Sequence, residues 1–375
     1  LVLSGKLFFR PACAETGGEQ VQVSIKDVAR AAGVSHSTVS RALNDSSLVN
    51  ADTKKRIQQL ARQMGYSPNT LARSLVTRHS STVGVVATTI TDPFMSEVVQ
   101  GIQLTADQHG YTVILCSSEE DPEREMAAVS MLRDKRVDGV ICVASRIGGM
   151  YLDQQEQIGL PVVIINNHNE QLRRYPFTIS VDNEQGGYLA AHYLLRDCGH
   201  HRIAYVAGPK ASTHSSSQDR LNGFRRAHRE AGMDVVDVLV VVGNGCPDGG
   251  EWALAALMMV KEPPTAVFCY NDMTAMGLMR AALRCGIRIP EDLAVVGFDD
   301  ILLSAYLNPP LTTVSQPKLE MGQRAMSLTL DLIQEGTWPL VSGEYLADPL
   351  AQCSLVVRQS SGPSGAVLKK GSSKV

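Results

Sequence analysis

Eight runs of near-continuous Val, Ile and Leu, at residues 82–88, 111–117, 138–144, 161–165, 202–207, 238–242, 265–270 and 293–298, constrain this chain more than any other feature. A strand that is apolar along its whole length, rather than alternating, is covered on both faces, as in a parallel sheet. Amphipathic stretches near 93–109, 122–135, 184–197, 217–231, 249–260, 273–285 and 317–335 separate the runs. That alternation predicts βαβ units. So many strands across roughly 280 residues exceed one compact sheet, so two lobes are expected. Ligands of such sheets sit at the C-terminal ends of the strands.

Charge separates what precedes these runs from what they build. The 375 residues carry a net charge of only −3, but residues 21–80 hold nine basic side chains (Lys26, Arg30, Arg41, Lys54, Lys55, Arg56, Arg62, Arg73 and Arg78) against Asp27, Asp45 and Asp52. This stretch is therefore +6 and residues 81–375 are −9. A small basic module joined to a larger acidic one is the asymmetry of a nucleic-acid reader with a second domain.

The basic module reads as short helices with marked ends. Ser24 caps a helix whose apolar face is Ile25, Val28, Ala29 and Ala32; Asp27 favours its N-terminal dipole and Gly33 stops it. Ser35 caps a second helix, residues 36–43, with Val39, Ala42 and Leu43 inward and His36, Ser37, Ser40 and Arg41 outward. Two such helices joined by a Gly turn form a helix-turn-helix, whose second helix enters the major groove. A third, from about Asp52 to Met64, offers Ile57, Leu60, Ala61 and Met64 to close the core and ends at Gly65.

No apolar run approaches the roughly 18–20 residues of a membrane span. Leu7, Phe8 and Phe9 followed by Ala12, Cys13 and Ala14 imitate a signal peptide, but the stretch is short and broken by Lys6 and Arg10, so residues 1–21 read as a disordered leader or an over-long start. The cysteines at 13, 116, 142, 198, 246, 269, 285 and 353 show no CxxC spacing and are expected to be buried reduced thiols of a cytosolic protein.

The wording of the basic module carries a resemblance. Val28-Ala29, Ala32-Gly33-Val34-Ser35, Thr38-Val39-Ser40-Arg41, Asn44 and Gly65-Tyr66-Ser67-Pro68-Asn69 resemble the N-terminal domain of the LacI/GalR family of bacterial transcription repressors. The resemblance continues to about residue 358 through Asp92-Pro93-Phe94, Val137-Asp138-Gly139, Asp219-Arg220-Leu221, Tyr270-Asn271-Asp272, Phe298-Asp299-Asp300 and Leu311-Thr312-Thr313-Val314. It implies a small all-α helix-turn-helix domain at 22–68 and a hinge helix with linker at 69–81. An α/β two-lobed core of parallel doubly wound sheets, similar to periplasmic sugar-binding proteins, would follow at 82–359, and a flexible tail at 360–375. Lobe one would comprise about 82–181 and 310–343, and lobe two about 182–309 and 344–359.

The resemblance also implies roles. His36 and Ser37 fall where family members choose among operators; for His36 a base contact and a solvated helix residue both stay open. Arg41 falls at a guanine-reading position, where an Arg fork on O6 and N7 is the commonest specific contact. Ser35, Thr38, Ser40 and Asn44 would hold phosphates and fix register, and Ser24 would also contact DNA. Asn69 caps the hinge helix, which in the family orders on the operator beside its dimer mate. Leu75 matches its minor-groove wedge, and Ala72 and Arg73 match positions flanking the minor groove; wedging costs a few kcal/mol of unstacking.

Strand ends nominate the cleft. Asp92 and Phe94 follow the first strand, Asn271 and Asp272 end the 265–270 run, and Asp299 ends the 293–298 run. Arg220 begins a helix with the stripe Leu221, Phe224, Ala227, His228 and Ala231. Carboxylate, amide and guanidinium groups converging on a cleft satisfy a ring of hydroxyls. In the family Arg220, Asn271 and Asp299 match ligand contacts, while Phe94 and Met95 lie in the loop lining the pocket. Met95 stands where an aromatic is often found, which tilts the effector towards a sugar and away from a flat purine. Asp272 and Asp300 also read as helix caps, Asp182 and Asn183 as crossover structure, His200 and His201 as surface, and Trp252 as core.

Three functions compete. The first is a repressor whose pseudo-palindromic operator is bound by a homodimer and whose affinity is set by a small-molecule effector, a sugar before a purine or nucleoside corepressor or a protein coregulator. A solute-binding protein needs a secretory signal and no helix-turn-helix. An enzyme on a doubly wound sheet needs chemistry that is missing: there is no Gly-rich phosphate loop, GxSxG or HExxH, and no cofactor or metal is expected.

Overall fold

The computed structural model describes residues 23–43, 46–66, 79–145, 158–166, 177–209, 216–235, 239–336 and 351–362. The chain divides into two units, residues 1–78 and 79–375.

In the first unit three helices form: α1 (Ile25–Ala32), α2 (His36–Leu43) and α3 (Ala51–Gln63). Ser24 and Asp27 close a capping box on α1, and Gly33 ends it at φ 67°, a left-handed conformation that favours glycine. Val28, Val39 and Ile57, one from each helix, are wholly buried in a common core with Ala29, Ala32, Ala42 and Ala61. Full burial of each large side chain stabilises by about 1.5–3 kcal/mol. Leu43, Leu60 and Met64 pack on it only in part.

The second unit holds two sheets. The first contains β1 (Thr82–Ala87), β2 (Thr112–Ser117), β3 (Gly139–Val143), β4 (Val162–Ile165) and β5 (Thr178–Ile179), in the all-parallel order 2-1-3-4-5. Between its strands run α4 (Pro93–Gln108) and α5 (Pro122–Asp134). The second contains β6 (Ile203–Ala207), β7 (Val240–Val242), β8 (Ala266–Cys269), β9 (Ala294–Asp299), β10 (Thr312–Ser315) and β11 (Ser354–Val356). Read from β7 its order is 7-6-8-9-10-11, the same winding as the first sheet with an antiparallel edge strand added. Its helices are α6 (Asn183–His192), α7 (Ser216–Glu230), α8 (Pro247–Met258) and α9 (Asp272–Arg284). The last helix, α10 (Lys318–Glu335), packs against α4, β3 and β4 of the first sheet.

The central apolar runs became strands buried on both faces, every residue of β3, β4 and β8 being buried, whereas the runs at 111–117 and 238–242 became the half-exposed edge strands β2 and β7. Four expectations are corrected. β10 belongs to the second sheet, so the chain returns to the first lobe after Ser315, a few residues later than the expected crossing near 310. Trp252 is 65% exposed, because the buried stripe of α8 runs through Gly249, Gly250, Ala253, Leu254 and Leu257 and passes it by. His200 is buried, its ring nitrogens meeting Thr265 Oγ1 at 2.9 Å and the carbonyl of Gly362 at 2.9 Å. Of the described cysteines, all free, Cys246 and Cys285 are exposed rather than buried. The crossing near 344 and the tail beyond 362 lie outside the described residues.

Candidate functional site

The first unit presents one polar helix face. His36, Ser37 and Arg41 are exposed on α2, with Ser40 half-buried beside them. At the start of α2 the hydroxyl of Ser35 accepts the Thr38 amide at 3.2 Å and lies 2.8 Å from both Ser37 Oγ and Thr38 Oγ1. A helix N-terminus ringed by hydroxyls suits phosphate, since its first amides have no helical acceptor. Ser24 is exposed, but its hydroxyl donates to Asp27 Oδ2 at 2.6 Å, so it serves the cap of α1 first. Asn44, Asn69, Ala72, Arg73 and Leu75 lie outside the described residues.

Two residues of α3 hold this face and were not singled out from sequence. Arg56 donates to the Ala32 carbonyl at the end of α1 (3.0 Å), and Gln58 to the Ala42 carbonyl of α2 (3.3 Å). Both satisfy C-terminal helix carbonyls otherwise left without partners.

In the second unit a cavity of about 340 Å³ is lined by Asp92, Phe94, Met95, Arg220, Asn271 and Asp299, all six residues nominated for the cleft. The lining collects strand ends from both sheets: Thr88 after β1, Ala144 after β3 and Asn166 after β4 from one, Tyr270 after β8, Asp299 ending β9 and Gln316 after β10 from the other. This is the place where doubly wound sheets bind ligands.

Asp92 caps α4, its Oδ1 accepting the Phe94 amide at 2.9 Å, which turns the buried Phe94 and Met95 into the first turn at the cavity wall. Burial pushes the Asp92 carboxyl up from its ordinary range. Asn271 caps α9: its Oδ1 accepts the amide and the hydroxyl of Thr274 (2.9 and 2.6 Å), and its Nδ2 donates to the Gly245 carbonyl (2.9 Å). The cap is thus Asn271 rather than Asp272. Asp272 is wholly buried and accepts from Thr313, Ser304 and the Ile301 amide, which ties β9, β10 and α9 together; burial pushes its carboxyl up to about 6. Asp300 accepts from Arg358 at 2.6 Å instead of capping a helix.

Arg220 is the anchor. It is 4% exposed, its guanidinium lies 3.5 Å over the Phe298 ring and 4.8 Å from the Tyr270 centroid, and Nη2 stands 3.7 Å from Asp299 Oδ1. Its Nε donates to Asn183 Oδ1 at 2.9 Å and its Nη1 to the Tyr270 carbonyl. Stacking and several fixed acceptors hold the fork in one orientation. Asp299 sits at φ 108°, a backbone region unusual for a residue with a side chain, and accepts Gln316 Nε2 at 2.6 Å; burial raises its carboxyl well above its ordinary range against the pull of Arg220.

Asn183 and Gln316 were missed as site residues. Asn183 touches Arg220 because α6 and α7 pack without a gap: a Cβ on Gly187 would run into the carbonyl of Arg220, and one on Gly223 into that of Glu184. Asp182, the other half of that pair, caps α6 by accepting the Gln185 amide at 2.8 Å. Gln316 follows β10, so the strand-end rule finds it once that strand is recognised.

Comparison with known proteins agrees with both units. Residues 24–69 match bacterial regulatory proteins of the lacI family, and residues 178–361 match the periplasmic binding protein-like domain. The HTH-type transcriptional repressor CytR of Escherichia coli K12 is 35% identical over 342 residues, covering 91% of this chain and 97% of the relative. The HTH-type transcriptional repressor PurR of Vibrio cholerae is 37% identical over 319 residues, covering 83% and 92%. The crystal structure of the lac repressor dimer bound to operator and the anti-inducer ONPF superposes with a TM-score of 0.80 at 28% identity, covering 91% of this chain and 99% of that one. The chain therefore belongs to the lacI family of bacterial regulatory proteins.

Proposed function

We propose that this chain is a cytoplasmic, non-enzymatic transcriptional repressor that binds a pseudo-palindromic operator as a homodimer, with its affinity set by a small-molecule effector held in the core. One observation carries the effector half: six residues chosen from strand ends and resemblance, spread from Asp92 to Asp299, all line one cavity. The DNA-reading half rests on α2, whose outward face is His36, Ser37 and Arg41. His36 and Ser37 sample base edges, Arg41 reads guanine, Ser35, Thr38, Ser40 and Asn44 grip phosphate, and Ser24 is a further DNA contact. Asn69, Ala72, Arg73 and Leu75 form the minor-groove hinge. A pair of hinge helices needs two chains, and the relation to a dimeric lac repressor on operator supports that assembly.

The test is selection of binding sites from random duplexes by the full chain. The expected product is a two-fold motif with a guanine in each half-site whose preference drops by about 1–3 kcal/mol in Arg41→Ala. Equal loss on selected and random DNA would remove the guanine-reading role. The effector is expected to be a sugar: acidic and amide side chains dominate the polar lining, and Phe94 and Met95 supply an apolar wall for a ring's C–H face.

A further inference from the structure

Lys318 is a buried cation outside the cavity lining. It begins α10 and is 4% exposed. Its Nζ donates to the carbonyls of Asp299 (2.6 Å) and Asp300 (2.8 Å) and stands 3.5 Å from Glu97 Oε2 on α4. An ammonium has three N–H donors, so two serve the carbonyls and the third is left for the carboxylate.

The two carbonyls belong to an unusual turn. Asp300 has φ 53°, a left-handed value that aspartate tolerates, but Asp299 has φ 108°, which lies beyond it. Such backbone persists only where surrounding contacts hold it. Arg358 grips the Asp300 carboxylate at 2.6 Å, and Gln316 Nε2 donates to the Asp299 carboxylate at 2.6 Å. Lys318 alone of these three side chains holds the main chain of the turn.

The holding group comes from the other lobe. Asp299 ends β9 in the second sheet, whereas α10 packs on α4, β3 and β4 of the first. The packing of α10 on α4 has no slack: a Cβ on Gly101 would run into the Leu319 carbonyl, and one on Gly322 into that of Val98. The same α4 brings Phe94 and Met95 to the cavity wall. One ammonium therefore joins a wall helix of the first lobe to the turn of the second that presents Asp299.

We propose that Lys318 is a positioning residue of the effector site: from the first lobe it holds the Asp299–Asp300 turn at positive φ and so aims the Asp299 carboxylate into the cleft. This rests on the reading of the cleft as the effector site.

The test uses the full chain. Lys318→Met nearly keeps the side-chain volume and removes the donors. Lys318→Gln leaves a shorter polar group should the methionine variant not fold, and its effect has the same direction. Crystal structures of the variants read the turn with no ligand needed: Asp299 is expected to leave its φ of 108°, and an unchanged turn overturns the proposal. Calorimetry with D-ribose, D-glucose and adenosine reads the consequence. A probe that wild type binds and Arg220→Ala loses is expected to bind Lys318→Met roughly 10–100-fold more weakly. In an Asp299→Ala background the same substitution is expected to cost no more than about twofold, since no carboxylate remains to be aimed. An equal cost in both backgrounds would make Lys318 a brace of the core and overturn the proposal. Binding that Arg220→Ala leaves unchanged, or silence from all three probes, overturns the cleft reading and with it the effector role, while the crystal structures still decide whether Lys318 holds the turn.

Discussion

Arg220 shows how much of a site is decided by groups that never face the ligand. Its fork is held by Asn183 on another helix, by the Tyr270 carbonyl and by the Phe298 ring beneath it. Removing the Asn183 acceptor leaves a buried charged donor without its partner, which costs about 1–3 kcal/mol. Asn183→Ala is accordingly expected to lower the stability of the core by that amount in chemical denaturation and to weaken effector binding, although it deletes no wall of the cavity. Undiminished effector affinity in a destabilised variant would make Asn183 a packing residue only. This role was not legible in the sequence, since a side chain that positions another 37 residues away leaves no local mark. Asp92, Asn271 and Asp299 were legible because they follow recognisable apolar strands, and Gln316 was not because its strand is the short polar segment Thr312–Ser315.

Elements were more legible than contacts. Apolar runs located β1 to β4 and β6 to β9, although β2 and β7 proved to be half-exposed edge strands, while the two-residue β5 and the antiparallel β11 carry too little pattern to find. Trp252 and His200 were misread for related reasons: the first sits off the stripe its own helix buries, and the second is buried by partners at Thr265 and Gly362, remote in sequence. The contact between α6 and α7 depends on glycine. Gly223→Ala forces a methyl against the Glu184 carbonyl and the Tyr188 amide, so the helices must part at a cost of about 1–3 kcal/mol. Because these helices carry Asn183 and Arg220, the melting temperature and the effector affinity are expected to fall together. A loss of stability with affinity intact would uncouple the helix pair from the site.

At the scale of the molecule, a basic unit and an acidic unit share one chain, and the second buries a histidine that responds to acid. Burial lowers the pKa of His200, so the folded chain keeps this ring neutral while the unfolded chain protonates it near the ordinary histidine value of about 6.5. The stability this difference allows is complete above that pH and declines below it. His200→Gln is expected to flatten the fall in melting temperature between pH 7.5 and 5.5, and an unchanged slope would show that the ring contributes nothing. A ligand in the cleft can govern the DNA-reading unit only by preferring one state of the protein. The most direct measurement of that control is the affinity of the full chain for its selected operator, with and without a cleft ligand, in wild type and Arg220→Ala. The expected shift is at least about tenfold in wild type, a coupling of about 1.4 kcal/mol, with none in the variant. Operator affinity that ignores a bound cleft ligand in wild type would contradict it.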